Sequence, residues 1–379
     1  MQRLYWRQAT ISWRIYAIIG VLAIVGYTTV ELFQQRIVQP DYKEKIKASR
    51  RMKYAMELIR EYRVSRKLPV DLEVDPTNSG MLGLSSSPTT SNAGSLQAKR
   101  TTVNPNWAGV VVEFLREAGV DKGETVAVGI SGSFPALNLA TMIAADVMDL
   151  KVVSISSVGA STWGANIPTL TWLDMERILH EHKVINHRSV AASLGGAGDR
   201  AIGLSKQGRD MLRDAIIRNG VRPIEAKNDV ESIERRMEIY REFAEGESFA
   251  AYVNVGGAVV STGPKSVKYG YRAGLNTRLP PEAIHTDNII KRFIDDGVPV
   301  VNLSQIVKLA EEFGFPIEPL QMPQVGEGTV FVRMQYNRWL AGGVLAAILA
   351  GLYALLKLDV GVRLGGLARG KSQTIEPMV

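Results

Sequence analysis

Five short apolar runs in the middle of this chain decide what it can fold into: Val126–Ile130, Val152–Ser156, Val190–Ser193, Ala251–Val255 and Val298–Leu303. Each is too short for an ordinary helix and close to continuously apolar or small. That pattern belongs to strands covered on both faces. Helical stretches fill the gaps, at Ala136–Leu150, Leu173–Glu181, Ser205–Asn219 and Val230–Ala244. The alternation predicts an α/β fold, a mainly parallel sheet with helices on both faces. No internal repeat interrupts it.

The 379 residues leave room for a full core and for further segments. Two of these are apolar blocks near the ends. The first, Ile15 to Val30, holds no charge. As a helix it rises about 24 Å, and extension through Ile11, Trp13 and Leu32 reaches a bilayer span if Arg14 snorkels. Tyr27-Thr-Thr-Val-Glu-Leu-Phe comes next, without a small-x-small cleavage site, so an uncleaved anchor is expected. The second block, Trp339 to Leu356, is bracketed by Arg338 and Lys357. Read this way, the fold is flanked by an N-terminal and a C-terminal transmembrane helix. Arg3, Arg7 and Arg14 at one end and Arg363, Arg369 and Lys371 at the other favour cytoplasmic termini and an extracytoplasmic main domain. The basic cluster from Arg36 to Lys53 pulls the other way. It is partly discounted, because long domains are translocated largely regardless of charge. The expected division is residues 1–34, a tip and first span; 35–70, a basic helix; 71–335, the α/β domain; and 336–379, the second span and tail.

The net charge of +7 is local. Residues 43–67 carry ten Lys or Arg against three Glu, which leaves the rest of the middle acidic. A nucleic-acid partner is therefore not expected. The same residues place Met52, Ala55, Met56, Ile59 and Tyr62 on one helical face. The other face is densely basic, either a solvated or headgroup-facing surface or a dock for an anionic polymer. From Asp71 to Asn104 a Ser-, Thr-, Asn- and Gly-rich stretch reads as a long ordered loop or a linker. The chain has no cysteine, which removes disulfides, thiolate zinc sites and cysteine nucleophiles.

The turn after each strand carries the candidate chemistry. These turns supply Ser131 and Ser133; Ser156, Ser157 and Ser161; Ser193, Gly195 and Gly196; Asn254, Gly256 and Gly257; and Asn302 with Ser304. In a parallel sheet they gather at the carboxyl edge, where ligands bind. Glycine admits close backbone approach, and N–H groups at such turns suit a carboxylate- or phosphate-sized anion. Ser156, Ser157, Ser161, Ser193, Gly195, Gly196, Asn254, Gly256 and Gly257 are thus the candidate ligand-binding residues.

Gly129-Ile130-Ser131-Gly132-Ser133 approaches the Gly-x-Ser-x-Gly nucleophile elbow, with serine where the last glycine belongs. Ser131, Asp174 and a later histidine keep α/β-hydrolase chain order, and Ser133 is the neighbouring hydroxyl. The available histidines are His180, His182, His187 and His285. The alternatives are a cap or turn role for Ser131 and a helix-dipole role for Asp174 and Glu176. His180-Glu181-His182 lacks metal-ligand spacing, so no metal site is expected. No dinucleotide or Walker fingerprint is intact, and no cofactor is expected.

Several words taken together carry a resemblance: Tyr5-Trp6-Arg7; Lys99-Arg100-Thr101 with Asn104-Pro105-Asn106; Ser131 to Asn138; Ser156 to Ser161; Trp172-Leu-Asp-Met-Glu-Arg177; Val190 to Gly196; and Asn254-Val-Gly-Gly257. In this order they resemble the poly-γ-glutamate system protein family, along nearly the whole chain. The resemblance implies a bacterial plasma (inner) membrane protein of loci that make or export poly-γ-glutamate, an anionic capsule-type polymer. Its implied role is an accessory one, binding the polymer, a γ-glutamyl compound or the membrane synthase subunits. The alternative is a serine-dependent γ-glutamyl hydrolase or transferase. No catalytic residue is carried over from the family.

Overall fold

The computed structural model describes residues 13–357. The Tyr5-Trp6-Arg7 word, the charged tip with Arg3 and the tail with Arg363, Arg369 and Lys371 lie outside the described residues. The first elements are α1 (Trp13–Leu32), β1 (Gln35–Val38), α2 (Tyr42–Ser65), β2 (Thr90–Asn92), α3 (Leu96–Thr102) and α4 (Trp107–Glu117). Next come β3 (Thr125–Ser131), α5 (Pro135–Val147), β4 (Lys151–Ser157), β5 (Ala160–Ser161), α6 (Trp172–Glu181), β6 (Ala191–Ser193) and α7 (Lys206–Arg218). After β7 (Arg222–Pro223), α8 (Asp229–Phe243) and β8 (Phe249–Val255) stand the short α9 (Val259–Thr262) and α10 (Lys265–Lys268), then β9 (Gly274–Asn276). The last are α11 (Ile289–Asp295), β10 (Val300–Leu303), α12 (Ile306–Glu312), β11 (Val332–Gln335) and α13 (Arg338–Lys357).

The chain divides into two compact units, Met1–Ile37 with Arg333–Val379, and Val38–Val332. In the first, α1 and α13 are each 20 residues long and pack on one another. Gly26 marks the contact, because a Cβ there would lie 2.5 Å from Val344 Cγ1. Tyr336 donates its hydroxyl to Glu31 Oε1 at 2.9 Å. Both helices turn large apolar side chains outward, among them Ile24, Leu32, Trp339 and Leu345. Helices therefore form where the two spans were expected. Among the described residues, however, no helix is long and apolar enough to cross a membrane. The polar Thr28, Thr29 and Glu31 in the last turns of α1 lower its apolarity.

The second unit is built on a seven-stranded sheet in the order β7-β6-β4-β3-β8-β10-β9. Val126 pairs with Val152 and Val128 with Val253 in parallel register, and only β9 runs antiparallel, against β10. The sheet is apolar on both sides. Val126, Val128 and Ile130 of β3 enter one core with residues of α2, α4, α5 and α6. Ala127, with Ile155 and Tyr252 of the neighbouring strands, enters a second core with residues of α8 and α11. Period-two alternation thus feeds two helical layers. The α/β architecture with helices on both faces is the one expected.

Helix α2 differs from its expected separate place. It belongs to the second unit and packs on α4 and α5, because Met52, Ala55, Met56 and Ile59 are fully buried. Its basic side is not uniformly solvated either. Lys45 is buried against Glu113, and buried Arg63 donates to the carbonyls of Gly80 at 2.9 Å and Leu82 at 2.7 Å. Lys43, Lys47, Arg50 and Lys53 remain exposed.

Candidate functional site at the carboxyl edge

The carboxyl ends of β3, β4, β6, β8 and β10 share one edge, and the serine- and glycine-rich turns meet there. Close packing explains the small residues. A Cβ on Gly132 would lie 2.5 Å from Val158 O, and Gly256, at φ 92°, lies against Ser131. The Ser/Thr-rich lead-in is an ordered strap over this edge. Its strand β2 pairs with β5, Ser87 Oγ and Thr89 Oγ1 donate to Asn166 O, and Gly94 N donates to Thr162 Oγ1. Hydroxyls satisfy the strap's polar contacts where a regular element would use its own backbone.

Many candidate residues are committed to one another. Arg236 and Asp199 form a fully buried ion pair at 3.0 Å. The guanidinium also donates to Ser157 Oγ at 3.0 Å and to Ser193 Oγ at 2.6 Å, and Ser193 Oγ donates to Asp199 Oδ1 at 2.7 Å. Ser156 Oγ lies 2.7 Å from Ser189 Oγ, which with its backbone N–H holds the buried Glu176 carboxylate. Burial pushes the Glu176 carboxyl up to about 7, against the opposing pull of those bonds. Asn254 donates to Asn302 Oδ1 and to Gly256 O, both at 2.9 Å. Gly195, at φ 72°, turns the chain beside Ser157, and Gly196, at φ 70°, beside Ser91. These contacts join neighbouring βα turns into one rigid edge.

The candidate triad is not assembled. Ser131 Oγ accepts from Ser133 N at 3.2 Å. Asp174 caps α6 through Thr171 and receives both Arg218 Nε at 2.8 Å and Asn219 Nδ2 at 2.9 Å. His182 contacts Ile178 O and His187 contacts Asp146, away from the serines. Among the described residues no cluster of His, Asp or Glu is placed to hold a metal ion.

Two lysines that sequence reading did not select as site residues complete the edge. Lys99, on α3, is 2% exposed and inserts between the turns after β3 and β5. Its Nζ donates to Ser161 Oγ at 2.9 Å and to Ser133 O, and sits 3.9 Å from the centre of the Phe134 ring. No carboxylate among the described residues pairs with it, and burial pushes the amine down to about 7. Lys268, on α10, is half-buried, and its Nζ rests on Gly257. Among the described residues nothing hydrogen-bonds or ion-pairs with it, and desolvation lowers its proton affinity.

Lys268 lines an open crevice of 450 Å³ with Phe134, Gly256, Gly257, Ser304 and Gln305. This is the topological switch point, because β4 lies on one side of β3 and β8 on the other. A larger cavity of 670 Å³ lies beside α7 and β7. Its arginines are occupied: Arg200 bonds Lys227 O, Arg209 bonds Leu204 O, and Arg213 pairs with Asp210. The crevice presents Lys268 without a bonded partner among the described residues, and the exposed Lys308 and Glu311 stand on its rim. No family model matches the chain, and no curated protein or solved structure matches it.

Proposed function

We propose that this protein is a membrane-attached accessory protein of poly-γ-glutamate synthesis or export, and that its switch-point crevice binds a carboxylate of the γ-glutamyl chain. The observation that carries the binding reading is Lys268, a half-buried ammonium that no carboxylate among the described residues pairs with, in a crevice lined also by Gly256, Gly257, Lys308 and Glu311. A cation partly removed from water gains most from an incoming anion. The identity of the anion comes from the family resemblance, and the synthase subunits are the expected protein partners. Neither a metal nor a cofactor enters the proposal.

Attachment to the bacterial plasma membrane, with the second unit outside the cytoplasm, is part of the same reading. What supports it is the pairing of α1 with α13 while large side chains such as Trp339, 91% exposed, face outward. Alkaline extraction of membranes and protease access to residues 85–95 in intact cells test this half.

For the ligand, the full chain in detergent should bind immobilised poly-γ-glutamate, more weakly as salt rises. Loss of one charge-assisted hydrogen bond of about 1.5 kcal/mol or more predicts at least a tenfold weaker affinity for Lys268→Ala. Affinity unchanged in Lys268→Ala sinks the crevice as the binding site.

A further inference from the structure

Phe134 has two roles at once. It lines the open crevice, and its ring covers the Lys99 amine at 3.9 Å. Behind it, Lys99 Nζ and Ser161 Oγ stand 2.9 Å apart, within reach for proton transfer. Ser161 N donates to Ser133 Oγ at 3.0 Å, so the backbone carrying Ser161 is tied to the turn after β3. The arrangement has the two parts a serine nucleophile needs, a hydroxyl and an adjacent base, with an amine in place of histidine. A structural lysine bridging loops would ordinarily be met by a carboxylate, and none reaches this one among the described residues.

We propose that Ser161 and Lys99 form a nucleophile–base pair that acts on the amide or ester carbonyl of a carboxylate-bearing chain held in the crevice. The substrate class rests on the crevice reading; the pair itself does not. In this reaction the Phe134 ring swings aside and joins crevice to pair. Neutral Lys99 takes the Ser161 hydroxyl proton as Oγ bonds to the carbonyl carbon. The tetrahedral adduct collapses with cleavage of the carbonyl C–N (or C–O) bond, and the Lys99 ammonium returns the proton to the leaving amine or alkoxide. Water then adds to the acyl ester, giving its proton to Lys99. The Ser161 ester bond breaks, the free acid leaves, and Lys99 reprotonates Ser161 Oγ. Burial supports the role, because an amine lowered to about 7 is largely neutral at mildly alkaline pH.

The test needs no natural substrate. The full chain in detergent is treated with a fluorophosphonate, a reagent for activated serines, and the adduct is mapped by mass spectrometry. The adduct is expected on Ser161, forming about tenfold faster at pH 8 than at pH 6, as the neutral fraction of Lys99 rises. Lys99→Met should slow labelling at least about 100-fold, and Lys99→Arg, which keeps a cation but no neutral base, should slow it equally. Near-ultraviolet dichroism checks that both variants fold, and Ser131→Ala should label as the wild type does. Phe134→Ala should label faster. No adduct on Ser161, or wild-type labelling in folded Lys99→Met or Lys99→Arg, overturns the pair; unchanged or slower labelling in Phe134→Ala overturns the covering role of the ring. Polymer affinity separates the two readings. Failure of the pair shows as no Ser161 adduct while Lys268→Ala still weakens binding, whereas failure of the crevice reading shows as unchanged affinity in Lys268→Ala with Ser161 labelling intact.

Discussion

Lys99→Met keeps the length of the side chain and deletes the amine, and its effect on stability can be worked from the structure. Burial lowers the amine from 10.5 to about 7. At about 1.4 kcal/mol per unit, carrying the group into the fold costs about 5 kcal/mol below pH 7. Two hydrogen bonds and the contact with the Phe134 ring return about 3 kcal/mol together. Lys99→Met should therefore stabilise the protein by about 2 kcal/mol at pH 6. The sign of the pH dependence comes from proton counting. Between about 7 and 10.5 the unfolded chain holds a proton that the folded chain lacks, so wild-type stability rises with pH. By pH 9 the advantage of methionine should shrink by about 3 kcal/mol and vanish or reverse. Urea unfolding of the full chain in detergent, followed through the fully buried Trp107 and Trp172, reads the difference. A wild-type-minus-variant difference that is the same at both pH values would refute a neutral, desolvated amine. So would a large loss of stability at pH 6, which would make Lys99 a charged clamp.

The other buried groups give further expected outcomes. Asp199→Asn leaves the Arg236 guanidinium buried without its carboxylate, and should cost about 3–5 kcal/mol in urea unfolding. The double variant Arg236→Met with Asp199→Leu should recover part of that loss. Glu176 holds its proton in the folded chain up to about 7 but loses it near 4.5 when unfolded, so its contribution falls as pH rises between those values. Glu176→Gln should remove about 3 kcal/mol of that dependence in stability measured from pH 4.5 to 7. The position of a Cβ at Gly26, 3.8 Å from Val344 Cβ, matches disulfide geometry. In this cysteine-free chain Gly26→Cys with Val344→Cys should crosslink under mild oxidation, and persistent free thiols would contradict the pairing of α1 with α13.

The strands buried on both faces were legible because two apolar layers leave a continuous apolar signature. Val126–Ile130 and Ala251–Val255 fall inside β3 and β8 for that reason. The edge strands were not legible. β7 is only Arg222–Pro223, exposed on both residues, and β9 is three residues stabilised by antiparallel pairing to β10. The turns were located correctly, yet which of their side chains face one another is a matter of tertiary geometry. Ser157 and Ser193 became partners of Arg236, a residue 79 and 43 positions further along that no local motif marks. Lys99 left no signal either. It reaches Ser161, 62 residues away, through a strap whose Ser87 and Thr89 bond to Asn166 O, contacts that exist only in the folded chain. Similarly, the basic side of α2 looked uniformly polar, while Lys45 and Arg63 are buried by partners distant in sequence.

The central claim is that a γ-glutamyl carboxylate sits against Lys268, and zero-length carbodiimide coupling tests it most directly. A short γ-glutamyl oligomer is bound to the full chain in detergent, coupled, and the new amide located by peptide mass spectrometry. The account predicts a dominant amide at Lys268, suppressed by excess unlabelled polymer. Coupling spread over the exposed lysines of α2, Lys43, Lys47 and Lys53, with Lys268 unmodified, would contradict it and move the polymer to the basic helix.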